Sequence, residues 1–60
     1  MKKWKVPYYL IDENQKIISS HSTETLAHDQ DEAYWNAVVT LNKEYGDKHY
    51  LIAKWEIKEA

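Results

Sequence analysis

Three histidines and ten acidic residues are the side chains that could bind a metal ion, because the 60-residue sequence contains no cysteine. His28, Asp29 and Asp31 lie close together along the chain, and His21 precedes them. However, Asp29 has the sequence context of a helix N-cap, and no helical His-x-x-x-His or His-x-x-Glu pair places two ligands on one face. We therefore expect solvated histidines, no metal site and no bound cofactor.

The carboxylates and a serine-rich segment are the remaining candidates for catalysis. Most acidic residues lie in predicted turns, in the first helical turn or at the chain end, where water surrounds them. General acid–base catalysis needs a carboxyl group held in a cleft that shifts its pKa, and one helix on three strands offers little concavity. His21, with its neighbours Ser19, Ser20 and Ser22, fits a polar strand better than a nucleophile–base pair. The sequence predicts a protein that is not an enzyme.

Length and charge bound the fold and the class of partner. A chain of 60 residues is enough for a single domain over residues 1–60, and such a domain buries only about 60% of the surface that its unfolded chain exposes. With no disulfide, self-association is the remaining route to greater stability. The net charge of −2 is too mild for a nucleic-acid mimic and has the wrong sign for a dedicated nucleic-acid binder.

The cellular compartment follows from what the sequence lacks. No apolar run approaches the roughly 18 residues of a membrane span, and no apolar signal core follows the basic start Met1-Lys2-Lys3-Trp4-Lys5. The absence of cysteine is compatible with a reducing compartment. We expect a cytoplasmic protein.

Residues 3–12 have the aromatic and β-branched composition of a first strand. Alternation places the residues expected in the core on one face: Trp4, Val6, Tyr8 and Leu10. The other face carries Lys3, Lys5, Pro7, Tyr9 and Ile11. Because Pro7 cannot donate a ladder hydrogen bond, it favours an edge, whereas the dense apolar character favours the centre of the sheet. We prefer a central strand with a bulge near Pro7.

A hairpin turn and a helix are predicted next. Asp12-Glu13-Asn14-Gln15 suits a turn, and a second strand follows over residues 16–22, extending toward Leu26. A capping-box pattern at Asp29-Gln30-Asp31-Glu32 predicts a helix over residues 30–45. Gly46 then supplies a residue that tolerates positive φ at the helix C-terminus.

Residues 49–58 are expected to form the last strand. Its predicted core face carries Leu51, Ala53, Trp55 and Ile57, and its other face carries Tyr50, Ile52, Lys54, Glu56 and Lys58. The resulting fold is α+β, in the order ββαβ: a three-stranded, largely antiparallel sheet with one helix packed on one face.

Two apolar sets remain outside this core. On the helix, Trp35 and Val39 are neighbours four residues apart that point away from the buried stripe. On the uncovered sheet face we expect the set Tyr9, Ile11, Tyr50 and Ile52, with either Ile17 or Ile18. Clusters of exposed apolar side chains indicate contact surfaces, and Tyr and Trp are typical of binding hot spots. The hypothesis is a non-enzymatic protein-binding module that forms a homodimer, binds a foreign protein, or does both.

Two alternatives compete with that hypothesis. In the first, Trp35 folds over the helix flank and the sheet tolerates exposed tyrosines without a partner. In the second, aromatic and basic residues on the uncovered face bind nucleic acid by stacking and phosphate contacts. The residues for this role are Lys5, Tyr9, Tyr50, Lys54 and Lys58.

The layout resembles small accessory proteins of Gram-positive phages and prophages. The matching features are the turn Asp12-Glu13-Asn14-Gln15-Lys16, the helix entry Leu26-Ala27-His28-Asp29-Gln30-Asp31-Glu32-Ala33 and the helix exit Tyr45-Gly46-Asp47. The resemblance implies a single-domain protein that acts by binding host machinery in the host cytoplasm, as anti-CRISPR and other anti-defence inhibitors do. It contains no functional motif, so it assigns no residue a role.

Overall fold

The chain forms an antiparallel sheet with one α-helix, as expected, in a computed structural model that describes residues 1–60. The elements in chain order are β1 (Lys2–Ile11), β2 (Ile17–Ala27), α1 (Gln30–Tyr45), β3 (Tyr50–Ile52), a 3-10 turn (Lys54–Glu56) and β4 (Lys58–Glu59). The spatial order is β2-β1-β3, and β4 also pairs with β1. The α+β class and the ββαβ order are therefore confirmed. No helix has the length and apolar character needed to cross a membrane.

The turn between β1 and β2 is built on Asp12. Its carboxylate accepts hydrogen bonds from the backbone N–H groups of Asn14 and Lys16 at 2.8 and 2.9 Å. Gln15 adopts a positive φ of 63°, which closes the turn. The hairpin then continues in register to Lys2 opposite Ala27, so β2 is longer than the minimum that its sequence predicts.

Helix α1 begins and ends where its capping residues predict. The Asp29 carboxylate accepts from the Glu32 N–H at 2.8 Å. The Glu32 carboxylate reaches back to the N–H of His28 at 3.1 Å, one residue earlier than in a standard capping box. At the other end Gly46 has a φ of +86° and donates its N–H to the Asn42 carbonyl, which satisfies an otherwise free helical acceptor.

The core lies between α1 and one face of the sheet. Small residues on the helix let it approach the strands closely, and Leu41 is the largest side chain that is fully buried. Trp4 closes one end by donating its indole N–H to the Ala27 carbonyl at 3.0 Å. The buried cluster comprises Val6, Tyr8, Ala27, Ala33, Ala37, Leu41, Ile52 and Ile57.

The prediction of one continuous last strand is wrong, and Pro7 supplies the physical reason. The backbone of odd-numbered β1 residues faces the third strand, since the Pro7 carbonyl accepts from Ala53 at 3.0 Å and the Lys3 carbonyl accepts from Ala60 at 2.9 Å. Proline has no N–H to complete such a pair. The chain leaves the sheet after Ile52, makes the 3-10 turn and returns as β4, where Lys58 lies opposite Lys5.

The predicted faces of this last segment are also partly wrong. Because Tyr8 lies opposite Ile52 and Leu10 lies opposite Tyr50, Tyr50 and Ile52 share the helix-covered face rather than the uncovered one. Conversely, Leu51 and Trp55 are 51% and 77% exposed, although both were expected in the core. Ala53 and Ile57 are buried as predicted.

Strand β1 is central, with β2 on one side and β3 and β4 on the other. The bulge predicted near Pro7 lies instead at the end of the strand, where the register shifts between Leu10 and Ile11. Pro7 is accommodated by a break in the neighbouring strand, which explains how a strand containing proline can occupy the centre of the sheet.

A pair of tyrosines in the core makes the stability of the domain sensitive to high pH. The hydroxyls of Tyr8 and Tyr45 lie 3.4 Å apart, and this hydrogen bond together with burial raises the pKa of Tyr8 to about 12. The stabilisation is complete below the ordinary pKa of 10.0 and is lost as the pH rises through 12, because the folded state favours the protonated phenol.

We therefore expect the free energy of unfolding to fall between pH 10 and 12, as measured by urea titration followed by circular dichroism. A Tyr45→Phe variant removes the hydroxyl partner and should show a flatter profile over the same range. Identical profiles for the two proteins would show that Tyr45 does not set the titration of Tyr8.

Candidate protein-binding surface

The sheet face opposite α1, called here the open face, is covered by no other element. Its apolar residues meet in cross-strand pairs, with Tyr9 opposite Leu51 and Ile11 opposite Ile17. Such directly opposed side chains lie about 5 Å apart and contact one another. We define the open-face patch as Tyr9, Ile11, Ile17, Ile18 and Leu51.

The register shift at the end of the hairpin enlarges this patch. Ile11 pairs with Ile17, and Ile18 is the extra residue of the bulge, so both isoleucines of β2 are exposed. A bulge bends the strand and re-aims its side chains. Of the residues predicted for this face, Tyr9 and Ile11 lie on it and are half-buried. Leu51 occupies the place predicted for Tyr50 and Ile52.

A shallow depression of about 520 Å³ adjoins the open-face patch. It lies between the β1–β2 turn and the loop from α1 to β3, and it includes Ile11 and Leu51 of the patch. Its other lining residues are mostly polar or charged: Asp12, Glu13, Gln15, Asp47, Lys48, His49 and Tyr50. An apolar centre beside a polar rim is the usual composition of a protein–protein interface.

Trp35 and Val39 form a second surface, on the outer side of α1. They are 63% and 56% exposed, and the Trp35 and Tyr34 rings form an edge-to-face pair with centroids 5.1 Å apart. Because α1 covers the opposite side of the sheet, these residues do not join the open-face patch. The two predicted groups of binding residues therefore lie on different surfaces of the molecule.

Trp55 is an exposed aromatic residue that the sequence-based prediction assigned to the core. It lies in the 3-10 turn, where the strand alternation used to place it no longer applies. The sequence signal for the break between β3 and β4 was Pro7. Its backbone faces the third strand but has no N–H to donate. Leu26, at the far end of β2 opposite Lys3, is likewise exposed on the open face.

The basic and aromatic residues predicted to bind nucleic acid are divided between two faces. Lys5, Tyr9 and Lys58 share the open face, with Lys5 directly opposite Lys58. Tyr50 does not, because it lies on the helix-covered face and donates its hydroxyl to Asn42; burial raises its pKa. Lys54 also lies on that side of the sheet. The predicted five-residue cluster does not form.

The Lys54 ammonium group packs over the Tyr34 ring, 5.1 Å from its centroid. In this cation–π contact the Lys54 ammonium group interacts with a ring of the same chain. Two further lysines are paired with carboxylates: Lys2 with Glu59 at 2.9 Å, which raises the pKa of Lys2, and Lys3 with Glu24 at 3.9 Å. Acidic groups thus interrupt the row of lysines along β1.

The residues considered for metal binding have other partners. Asp29 caps α1, and the His28 ring lies 3.2 Å from the Glu32 carboxylate. The His21 ring lies 2.8 Å from the Ser19 hydroxyl and stacks on Tyr8 with centroids 5.6 Å apart. No group of three or more His, Asp or Glu side chains is arranged to hold a metal ion.

The arrangement is therefore one of surfaces: an apolar patch on the open face, a depression beside it lined mostly by polar and charged residues, and the exposed Trp35 and Val39 on the outer side of α1. Comparisons with family models, with curated protein sequences and with solved structures found no match for this chain.

Proposed function

We propose that this domain is a non-enzymatic protein-binding module that acts through the open-face patch. One observation carries the proposal: a whole face of the sheet is left uncovered, and its apolar residues meet in the cross-strand pairs Tyr9–Leu51 and Ile11–Ile17. Grouped apolar side chains on one surface are typical of contact sites, whereas isolated ones are not.

The chemistry of the patch supports a protein as the partner. Tyrosine provides a large rigid contact area with a polar tip, which makes it common at binding hot spots. The neighbouring depression offers both signs of charge, at Asp12 and Asp47 on one hand and Lys48 on the other. A protein surface can complement an apolar centre and mixed charges at the same time.

The proposal includes self-association, a cytoplasmic location and an inhibitory role of the phage type. The inhibitory role comes from the resemblance of the layout to phage accessory proteins. An inhibitor of this size acts by occupying a surface on its target, which needs an exposed patch and no catalytic group. Trp35 and Val39 would then provide a second contact surface on the outer side of α1.

A photo-cross-linking amino acid at position 51 tests this proposal in cells of the source organism or its host. We expect a discrete covalent adduct with one protein when the cross-linker replaces Leu51. Placed at Lys2, which is exposed on the helix-covered face at the other end of β1 and lies outside both proposed contact surfaces, the same cross-linker should give no such adduct.

The adduct partner is then purified and its affinity measured by calorimetry. Leu51→Asp should weaken binding by at least about tenfold, the effect of losing a hot-spot side chain, while its circular dichroism spectrum stays unchanged. The same adducts from positions 51 and 2, or an unchanged affinity for Leu51→Asp, would contradict a role for the open-face patch. A loss of binding in Trp35→Ala alone would move the site to α1.

Nucleic acid is the alternative partner, and one observation favours it. Lys5 and Lys58 lie opposite one another on the open face. Tyr9 lies on the same face, four residues after Lys5 in β1, and its ring could stack on a base. Fluorescence anisotropy with labelled single- and double-stranded oligonucleotides at low salt tests this. Saturable binding that weakens steeply with added salt and is lost in Lys5→Ser would replace the protein-binding proposal.

A further inference from the structure

The outer edge of β2 is the one long strand edge that the fold leaves unpaired. On the opposite side of the sheet, β3 has three residues and β4 has two, and the 3-10 turn separates them. Short, interrupted strands are one way in which proteins protect an edge from pairing with another chain. Strand β2, by contrast, runs for 11 residues with no neighbour beyond it.

The hydrogen bonds around the sheet show which backbone groups of β2 point outward. The side chain of Asn36 donates to the Leu26 carbonyl at 3.1 Å, so this carbonyl faces away from β1. In an antiparallel ladder the inward and outward backbone groups alternate by residue. The N–H and C=O groups of Ser20, Ser22 and Glu24 therefore also point outward.

Two of the devices that discourage edge pairing are missing from β2. Lysine and proline are the residues that most often block an exposed edge, and neither occurs between Ile17 and Ala27. The flank of α1 above this edge carries Asn36 and, one turn further on, Thr40.

The sequence of β2 is complementary to itself when it is reversed about Ser22. In that register Ser20 meets Glu24 and Ser22 meets Ser22 of a second copy, and each of these pairs can exchange two backbone hydrogen bonds. Ile18 meets Leu26 at both ends, and Ser20 meets Glu24 on either side of the centre. Shifting the register by one pair in either direction would set Ile18 against Glu24 or Leu26 against Ser20.

We propose that two copies of this chain pair through their β2 edges, antiparallel and centred on Ser22, to form one continuous sheet. This inference rests on the self-association included in the proposed function. Binding of a different protein to the open-face patch does not require it. The two-fold axis stands perpendicular to the sheet, so both α1 helices lie on one side and both open-face patches lie on the other.

Opposite charges placed at position 20 test both the edge and the register. Ser20 is exposed on the open face, and in the dimer it lies opposite Glu24 of the second copy at two equivalent places. Ser20→Glu therefore creates two like-charge pairs, and Ser20→Lys creates two opposite-charge pairs. Sedimentation equilibrium from micromolar to millimolar protein measures the dimer dissociation constant, and circular dichroism checks that each variant is folded.

We expect the wild-type chain to form a species of twice its 7.2 kDa mass. Ser20→Glu should raise the dissociation constant by about tenfold, and Ser20→Lys should leave it unchanged or lower it. Added salt should reduce the difference between the two variants.

Three results would overturn the proposal. The first is a wild-type chain that stays monomeric up to millimolar concentration. The second is a dimer with the same dissociation constant in both charge variants. The third is a dimer that Leu51→Asp dissociates and Ser20→Glu does not, which would place self-association on the open-face patch and leave the proposed function standing.

Discussion

Leu41→Ala is expected to remove most of the stability of the domain. Leu41 is 1% exposed and is the largest fully buried side chain, and a buried leucine-to-alanine change costs about 2–5 kcal/mol. A domain of this size without disulfides has a total stability of only about 3–5 kcal/mol. Urea titration followed by circular dichroism measures the loss.

Val39→Ala is the matched control, because Val39 lies on the same helix with an aliphatic side chain that is 56% exposed. We expect its free energy of unfolding to stay within about 0.5 kcal/mol of the wild type. If Val39→Ala were as destabilising as Leu41→Ala, then Val39 would contribute to the core and could not belong to a contact surface on the outer side of α1.

Proline substitutions at two adjacent positions of β2 should have very different effects. Thr23 lies opposite Val6 in the middle of the hairpin, and its N–H points toward β1. Thr23→Pro removes that hydrogen bond and leaves a buried acceptor unpaired, which costs about 1–3 kcal/mol before any steric clash is added. Thermal unfolding should show a large loss of stability or no folded protein.

Ser22→Pro should leave the monomer folded, because the N–H that it removes points outward from the sheet. Edge strands tolerate proline at such positions. The same variant should dimerise more weakly, since the lost N–H would bond to the second copy. Equal destabilisation by both prolines would show that the backbone of β2 does not alternate as Asn36 and Leu26 indicate.

The helix was predictable because its signals are local. Asp29, Glu32 and Gly46 act on backbone groups within one turn, so their sequence positions alone define the two ends of α1. The faces of β1 were predictable for a similar reason, since alternation within a strand depends only on neighbouring residues.

The last segment could not be predicted in the same way, because only its second half distinguishes the two faces. Tyr50–Ile52 is apolar on both faces, and the charged residues Lys54, Glu56 and Lys58, which suggested the face, lie beyond the point where the strand breaks. The choice of face comes from pairing with β1, which puts Ile52 opposite Tyr8, and from Pro7, which breaks the strand. Both are tertiary effects.

The candidate binding residues also divide into those that local sequence patterns place correctly and those whose placement depends on strand pairing. Trp35, Val39, Tyr9 and Ile11 lie on elements whose faces the local pattern predicts, and the structure places them outside the core. Tyr50 and Ile52 belong to the last segment, and Leu51 takes their place on the open face. The sequence of β2 lacks lysine and proline, which is typical of a strand edge that can pair. This lack becomes informative only once the strand order shows that β2 lies at the edge of the sheet.

Amide hydrogen exchange by NMR at increasing protein concentration tests most directly whether the unpaired edge of β2 binds a second copy of this chain. The amides of Ser20, Ser22 and Glu24 should exchange quickly in dilute solution and become protected as the concentration rises, while those of Ser19, His21 and Thr23 stay protected throughout. Exchange at Ser20, Ser22 and Glu24 that remains fast up to millimolar protein would contradict pairing at the β2 edge.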